Sequence, residues 1–377
     1  MKDVIFKYLK EQEKKTKNCY NLIASESLAS KESLKALGSF INYKYAEGFP
    51  GKRYYCGNKW IDKIELECIE RAKKLFKCKL VNVQPINGSG MNLALISFLL
   101  KPGDKILSMG SNFGHLSHGS KVNFTGKHYK IFRYDVNENG DIDYKELEKL
   151  ALKIKPKLII SGYSSYYKKI DFRKIWNVCK GVGCLHISDV SHLCGLIAAG
   201  YHQSPINYCD FMTSTFHKTM LGVRGGVIMS NNIKYKDVIN RCIFPFFQGG
   251  MHPNIIAANA IALKHASTNK FKIHIKKVLE NTLYLNNKLE ELGFKVSGTQ
   301  NHLFLVDLSQ TRIDGRTFAD ELEKRNILVN CNLIPNDKRN PWRPSGIRIG
   351  LNFETQRGIT KKQLDFIANK MLETLKN

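Results

Sequence analysis

The sequence predicts an α/β protein in two parts: a large, mixed but mostly parallel sheet covered by helices, then a smaller C-terminal α/β unit. Two observations lead there. Between about residues 60 and 230, short β-rich runs (LVNVQP, KILSMG, KLIISGY, CLHISDV, FMTST, GGVIMS) alternate with helical or glycine-rich intervals. That is the pattern of a sheet buried on both faces. A long helical pattern from Asn254 through Leu292 is then followed by new strand-like runs (HLFLVDL, ILVN, GIRIGL) and a closing helix, TKKQLDFIANKMLETL. The boundary is expected near residue 270. The division is an N-terminal helical arm (1–45), a cofactor-binding domain (46–270) and a small C-terminal domain (271–377).

In chain order, residues 1–20 read as a charged amphipathic helix with Val4, Ile5, Tyr8 and Leu9 at helical spacing. KYAEGFPGKRYYCGN is a loop by its glycine and tyrosine content. IDKIELECIERAKKLF is an amphipathic helix and MNLALISFLL a buried one. Among 377 residues there is no apolar run near the roughly 20 that cross a bilayer. The N-terminus lacks a signal-peptide core and cleavage site, so the expected address is cytoplasmic. Ten cysteines are scattered without a CxxC pair, as expected of reduced, buried thiols rather than a disulfide framework or zinc site. The formal charge of +26 raises non-specific affinity for nucleic acid. Its lysines are spread along the whole chain without interleaved aromatics, so specific nucleic-acid binding is not expected.

Three segments carry chemistry. In FMTSTFHKTMLGVRGG a strand runs into His217 and Lys218 and then a glycine-rich loop. A lysine here is either a surface residue or a desolvated one whose weakened hold on its proton makes it a good imine-former. CLHISDVSHLCGL ends a strand in Asp189. An acid at the carboxyl end of a parallel strand sits where α/β proteins bind ligands, although a helix-capping aspartate reads the same way. In VNVQPINGSGMNLALISFLL a strand leads through Asn87, Gly88, Ser89 and Gly90 into a helix. That is either an ordinary helix start or a phosphate cradle of free N–H groups at a positive dipole end. Together, cradle, carboxylate and lysine suit pyridoxal phosphate, which needs an acid against its ring nitrogen to act as an electron sink.

With these segments the sequence resembles the serine hydroxymethyltransferase family, most closely its bacterial form, over nearly the whole chain. LIASES (22–27), KYAEGFPGKRYY (44–55), GHLSHG (114–119), SDVSHLCGL (188–196), NHLFLVDL (301–308) and SGIRIG (345–350) stand in the family's order. The resemblance implies the fold of type I pyridoxal-phosphate enzymes, which work as homodimers, or tetramers of them, with active sites at the subunit interface. By it, Lys218 is the Schiff-base lysine and His217 a specificity neighbour. Asp189 is the ring-nitrogen partner, His115 stacks on the ring, and His192 and Ser164 lie at the ring hydroxyl. Asn87, Gly88 and Ser89 form the phosphate cup, completed by Tyr45, Gly249 and Gly250 of the partner subunit. Arg348 grips the substrate carboxylate with Ser25 and Tyr55, and Glu47 handles the hydroxymethyl proton. Tyr54, Gly114, His115, Leu116, Asn332, Asn340, Pro341 and Trp342 face tetrahydrofolate. The implied reaction converts L-serine and tetrahydrofolate reversibly to glycine and 5,10-methylenetetrahydrofolate.

Some positions depart from the family pattern. Asn87 stands for a serine in the cup, Val223 for a proline in the loop after Lys218, and Cys331 for a lysine. Phe246, Phe247 and Met251 flank Gln248-Gly249-Gly250 in place of smaller or turn-forming residues. Relaxed packing or reduced stability, rather than a new activity, is the expected consequence. Asp135 through Glu146 spell a calcium-loop pattern, but a strand precedes it where a helix is required, so calcium binding is not expected. His115 and His118 have no third ligand at suitable spacing, and no metal is expected. The competing functions are a folate-independent pyridoxal-phosphate enzyme, opposed by Glu47, Tyr54 and Asn332, and a degenerate basic RNA-binding protein, opposed by Lys218, Asp189, His115 and Arg348.

Overall fold

A computed structural model describes residues 3–110 and 113–376. Its contacts form two compact units. One comprises Ser27–Ser164 and Lys169–Ile275. The other joins Ser165–Lys168 to the described residues before Ser27 and after Ile275.

In the larger unit, the described residues form a seven-stranded sheet. Its strands are β1 (Leu80–Asn82), β2 (Lys105–Met109), β3 (Lys130–Tyr134), β4 (Leu158–Ser161), β5 (Leu185–Asp189), β6 (Phe211–Thr215) and β7 (Gly226–Ser230). Their spatial order is β1-β7-β6-β5-β4-β2-β3. Every pairing from β6 across to β3 is parallel, and β7 runs antiparallel to both its neighbours. The sheet is therefore mixed and mostly parallel, as the sequence leads one to expect. Helix α1 (Gly88–Leu99) is apolar on most sides and lies in the core. Met91, Ala94, Leu95 and Ile96 pack with Ile106, Leu158, Ile160, Ile187, Phe211 and Ile228 of the strands. Burying side chains on that scale fixes the register in which the carboxyl ends of β5 and β6 face the start of α1.

The helical pattern after Asn254 is two helices, α2 (Pro253–Ala266) and α3 (Asn269–Glu291). The break has a side-chain cause that hydrophobic periodicity does not register. Ser267 and Thr268 bond back to the carbonyls of Lys264 and His265, and the Thr268 hydroxyl then accepts from the Phe271 amide to start the next helix. The N-terminal helix, Val4–Asn18, has the expected apolar face, but none of its residues is buried.

The smaller unit has a four-stranded antiparallel sheet of β8 (Lys295–Val296), β9 (Leu303–Asp307), β10 (Asn330–Asn332) and β11 (Gly346–Gly350), in the order β8-β9-β11-β10. Phe304, Val306, Ile347 and Ile349 meet Phe318, Leu364 and Met371 in its core. The run ILVN is divided: Ile327–Leu328 pairs in parallel with Tyr20–Asn21, while β10 begins at Asn330. Among the described residues no helix is long and apolar enough to cross a membrane. All ten cysteines are free thiols.

Candidate active site

The site of the larger unit is built where β5 and β6 end. Asp189 is the last residue of β5 and is buried. One of its oxygens, Oδ1, accepts from the amide and hydroxyl of Ser191 at 3.0 and 2.6 Å. The other, Oδ2, accepts from Asn92 Nδ2 at 2.7 Å and faces His118 Nε2 at 3.1 Å. Burial by itself would raise the Asp189 pKa. The charges and hydrogen bonds of His115, His118 and Lys218 outweigh it and hold the carboxyl well below the usual range. Asp189 is thus an ionised carboxylate in a dry setting, the state that suits a protonated ring nitrogen. Its reach to Lys218, from the segment after β6, is electrostatic.

Two joints hold these segments together. Thr219 Oγ1, next to Lys218, donates to the His192 carbonyl at 3.0 Å and accepts from the Gly195 amide at 3.0 Å. Gly162, at φ +105°, lets the chain leaving β4 pass so close that a Cβ there would lie 1.9 Å from the Asp189 carbonyl oxygen. Two residues on, Ser164 donates its amide to Phe113 at 2.6 Å, beside Gly114 and His115. The His115 and His192 rings lie 5.7 Å apart, and His115 is 4.9 Å from His118.

His115, His118 and Asp189 come within 4.8 Å of one another, so the fold supplies the third ligand type that spacing does not offer. The Asp189 oxygens are already committed to Asn92, His118 and Ser191, and a cation would have to displace those donors. The calcium-like segment is a turn. Val136 bridges Ile142, the Asn137 oxygen accepts from the Asn139 and Asp141 amides, and Asp143 caps the helix Tyr144–Ile154.

At the start of α1, Asn87 Oδ1 caps the helix by accepting from Gly90 at 2.7 Å, which leaves its Nδ2 as the donor it offers a ligand. The Gly88 and Ser89 amides head the helix and have no intrahelical acceptor. Gly88 is pressed against Thr215, where a Cβ would come within 2.6 Å of a methyl carbon. Thr215 Oγ1 and His217 Nδ1 are buried without a hydrogen-bond partner. Burial foremost, with the Lys218 charge, pushes the His217 pKa down to about 4 and keeps the ring neutral. Helix-headed amides, orphaned hydroxyl, ionised carboxylate and lysine fit pyridoxal phosphate.

Tyr45, Glu47, Gly249 and Gly250 gather in a second cluster. A Cβ on Gly249 would lie 3.0 Å from Glu47 Oε1, and one on Gly250 3.5 Å from the Tyr45 ring. Buried Asn58 donates to the Tyr45 and Tyr55 carbonyls. Arg53 clasps the loop through the Ala46 and Gly48 carbonyls while paired with Asp62 and Glu65. Gln248 donates to the Gln84 carbonyl. The Tyr45, Tyr54 and Tyr55 rings are exposed, as is Leu116.

Ser25, Arg348, Asn332, Asn340, Pro341 and Trp342 belong to the smaller unit. Arg348, on β11, is buried, and its Nε donates to Asn330 Oδ1 at 3.0 Å. Burial pushes its pKa down to about 10, still far above neutrality, so the guanidinium stays charged. The Asn340 side chain caps the turn to Trp342, which is exposed. Sequence reasoning missed Asn92, Ser191, Thr215 and Asn330. Asn92 lies one helical turn beyond the cradle, which is the one available hint.

The chain matches the family model described as serine hydroxymethyltransferase over residues 1–371. Curated relatives bearing that name include one from Desulfotalea psychrophila, 44% identical over 376 residues, spanning 99% of this chain and 88% of the relative. A relative from Endomicrobium trichonymphae is 45% identical over 379 residues, spanning 100% and 90%. One from Phytoplasma mali is 43% identical over 380 residues, spanning 99% and 91%.

Proposed function

Because this chain belongs to the serine hydroxymethyltransferase family, we propose that the cluster around Lys218 and Asp189 is its pyridoxal-phosphate site. The chain is a pyridoxal-phosphate-dependent transferase of the type I fold. It moves the hydroxymethyl carbon of L-serine reversibly to tetrahydrofolate, giving glycine and 5,10-methylenetetrahydrofolate, in one-carbon metabolism and glycine biosynthesis.

The observation that carries the site reading is the ionised, four-donor Asp189 within electrostatic reach of Lys218. Bound there, the cofactor supplies an electron sink for the substrate's α-carbon. The residues do the rest. Lys218 Nζ would hold the cofactor. Asp189 keeps a proton on the ring nitrogen. His115 covers the ring, while His192 and Ser164 serve its hydroxyl. The Gly88 and Ser89 amides and Asn87 Nδ2 take the phosphate. Neutral His217 packs beside the lysine without adding a competing charge. Arg348, with Ser25 and Tyr55, fixes the substrate carboxylate through a bidentate fork and so orients the bond to be broken. Glu47 moves the hydroxyl proton. Tyr54, Gly114, Leu116, Asn332 and Asn340–Trp342 receive tetrahydrofolate.

Tyr45, Glu47, Tyr55, Gly249 and Gly250 act, on this reading, in the site of a second copy. Their mutual bracing and the exposed tyrosines support it. The chain is then an arm (1–45), a cofactor-binding part (46–270) and a C-terminal part (271–377), working as a homodimer in the cytoplasm. Free thiols throughout are consistent with that compartment. Lys218→Arg should lose the protein's visible cofactor absorption, and Glu47→Gln should keep it but lose turnover. Mixing and refolding the two inactive variants together should restore part of the activity. A normal band in Lys218→Arg would sink the site assignment; no recovery on mixing would sink the shared site.

A further inference from the structure

The edge strand β3 presses on the turn that carries His115 and His118. Arg133, half-buried on that strand, aims its guanidinium at the end of β2 and at that turn. Its Nη1 donates to Ser108 Oγ at 2.7 Å, the Met109 carbonyl at 3.0 Å and the His118 carbonyl at 3.3 Å. Its Nη2 donates to the Gly119 carbonyl at 2.5 Å. Two residues earlier, Ile131 fills the space over Gly119, where a Cβ would come within 2.7 Å of its terminal carbon. Ser108 adds a second donor to the His118 carbonyl at 2.8 Å. The backbone of the turn is thus gripped from below. Its side chains reach the other way: His118 Nε2 to Asp189, and the Ser117 hydroxyl to Asn92, which itself holds Asp189.

We infer that Arg133 is a positioning residue for the cofactor site, acting through the Leu116–Gly119 turn and His118 to hold Asp189 against the ring nitrogen. Its hydrogen bonds go to Ser108, Met109, His118 and Gly119, none of which is assigned above to cofactor or substrate. A planar guanidinium meeting two acceptors on β2 and two on the turn ties the turn to the strand, whereas a lysine could satisfy only some of them. Burial weakens the hold of Arg133 on its own proton, yet the charge persists and each contact is charge-assisted. The inference rests on the reading that Asp189 meets the cofactor.

The test compares wild type, Arg133→Gln and Arg133→Lys, loaded with pyridoxal phosphate, and includes Asp189→Asn and Lys218→Arg as references. Three quantities are read: the cofactor dissociation constant, the visible circular dichroism of the bound cofactor, and the melting temperature. Losing one charge-assisted restraint should raise the dissociation constant about tenfold in Arg133→Gln. The dichroic band should weaken, kcat should fall with little change in KM for serine, and added guanidinium should recover part of the band. Arg133→Lys should fall in between, and it decides the question by the same readouts if Arg133→Gln does not fold. A wild-type dissociation constant and band in the variants would overturn the inference, even with a lowered melting temperature. If Asp189→Asn and Lys218→Arg also bind and absorb as wild type, it is the underlying site reading that fails.

Discussion

Each side chain at the heart of this protein is set by what is packed against it. Asp189 stays charged in a buried place because the charges of His115, His118 and Lys218 and the His118 hydrogen bond outweigh desolvation. Arg348 keeps its charge with Asn330 steering the guanidinium. Gly162 shows how little room is left. Its φ of +105° disfavours any side chain, and a methyl group would strike the Asp189 carbonyl. Gly162→Ala should therefore cost about 3 kcal/mol or more, because strain and clash add. Chemical denaturation of the cofactor-free protein measures it, and a loss below about 1 kcal/mol would mean the backbone relaxes freely there.

At the scale of elements, loops and helix starts form the site while strands and α2 hold them. The loop after Lys218 illustrates this. Val223 stands where the family pattern has a proline with its fixed φ, a change that by itself implies relaxed packing or reduced stability. Yet Val223 is buried, and its amide donates to Asn259 Oδ1 of α2 at 3.0 Å, a bond that a proline could not make. Gly222 and Gly225 both close on the same asparagine, with a Cβ 2.7 Å from its side-chain atoms in each case. A tertiary hydrogen bond thus restrains the segment. Asn259→Ala should lower stability by about 1–3 kcal/mol through the orphaned buried amide. It should also raise the cofactor dissociation constant, since the loop follows Lys218 directly; equilibrium dialysis checks the second effect. An unchanged value for both would show that the loop needs no anchor on α2.

For the whole molecule, buried neutral histidines set the acid limit. His186, inside the large sheet, meets Ser161 Oγ and the Tyr208 carbonyl, and burial pushes its pKa from 6.5 down to about 4. His217 is pushed to about 4 by burial and the Lys218 charge. An unfolded chain binds these protons more readily than the folded one, so stability must fall as pH drops from about 6.5 to 4. Each histidine contributes a slope of up to about 1.4 kcal/mol per pH unit in that window. Thermal melts of the cofactor-free protein across it should show the decline, and His186→Gln should flatten it in part. A melting temperature constant over that range would contradict the burial of these rings as neutral groups.

Much of this is legible in one dimension. Alternating apolar runs announce the two sheets, because a buried strand must be apolar wherever it lies. Asp189 and Lys218 stand out because strand ends and glycine-rich loops are where α/β chains expose chemistry. The ordered motifs identify the family, because each is a local stretch of chain. What sequence alone leaves open is the company each residue keeps. Asn92, His118, Arg133 and Asp189 are brought together by the pairing of β3 with β2, β2 with β4 and β4 with β5, and by the docking of α1 on the sheet. Asn259 finds Val223, and Asn330 finds Arg348, by the same kind of long-range packing. Hydrogen bonds are short-ranged and directional, so their partners are chosen only once hydrophobic burial has fixed the register. Sequence determined which chemistry the chain carries; tertiary structure decided which neighbours keep that chemistry charged, aimed and dry.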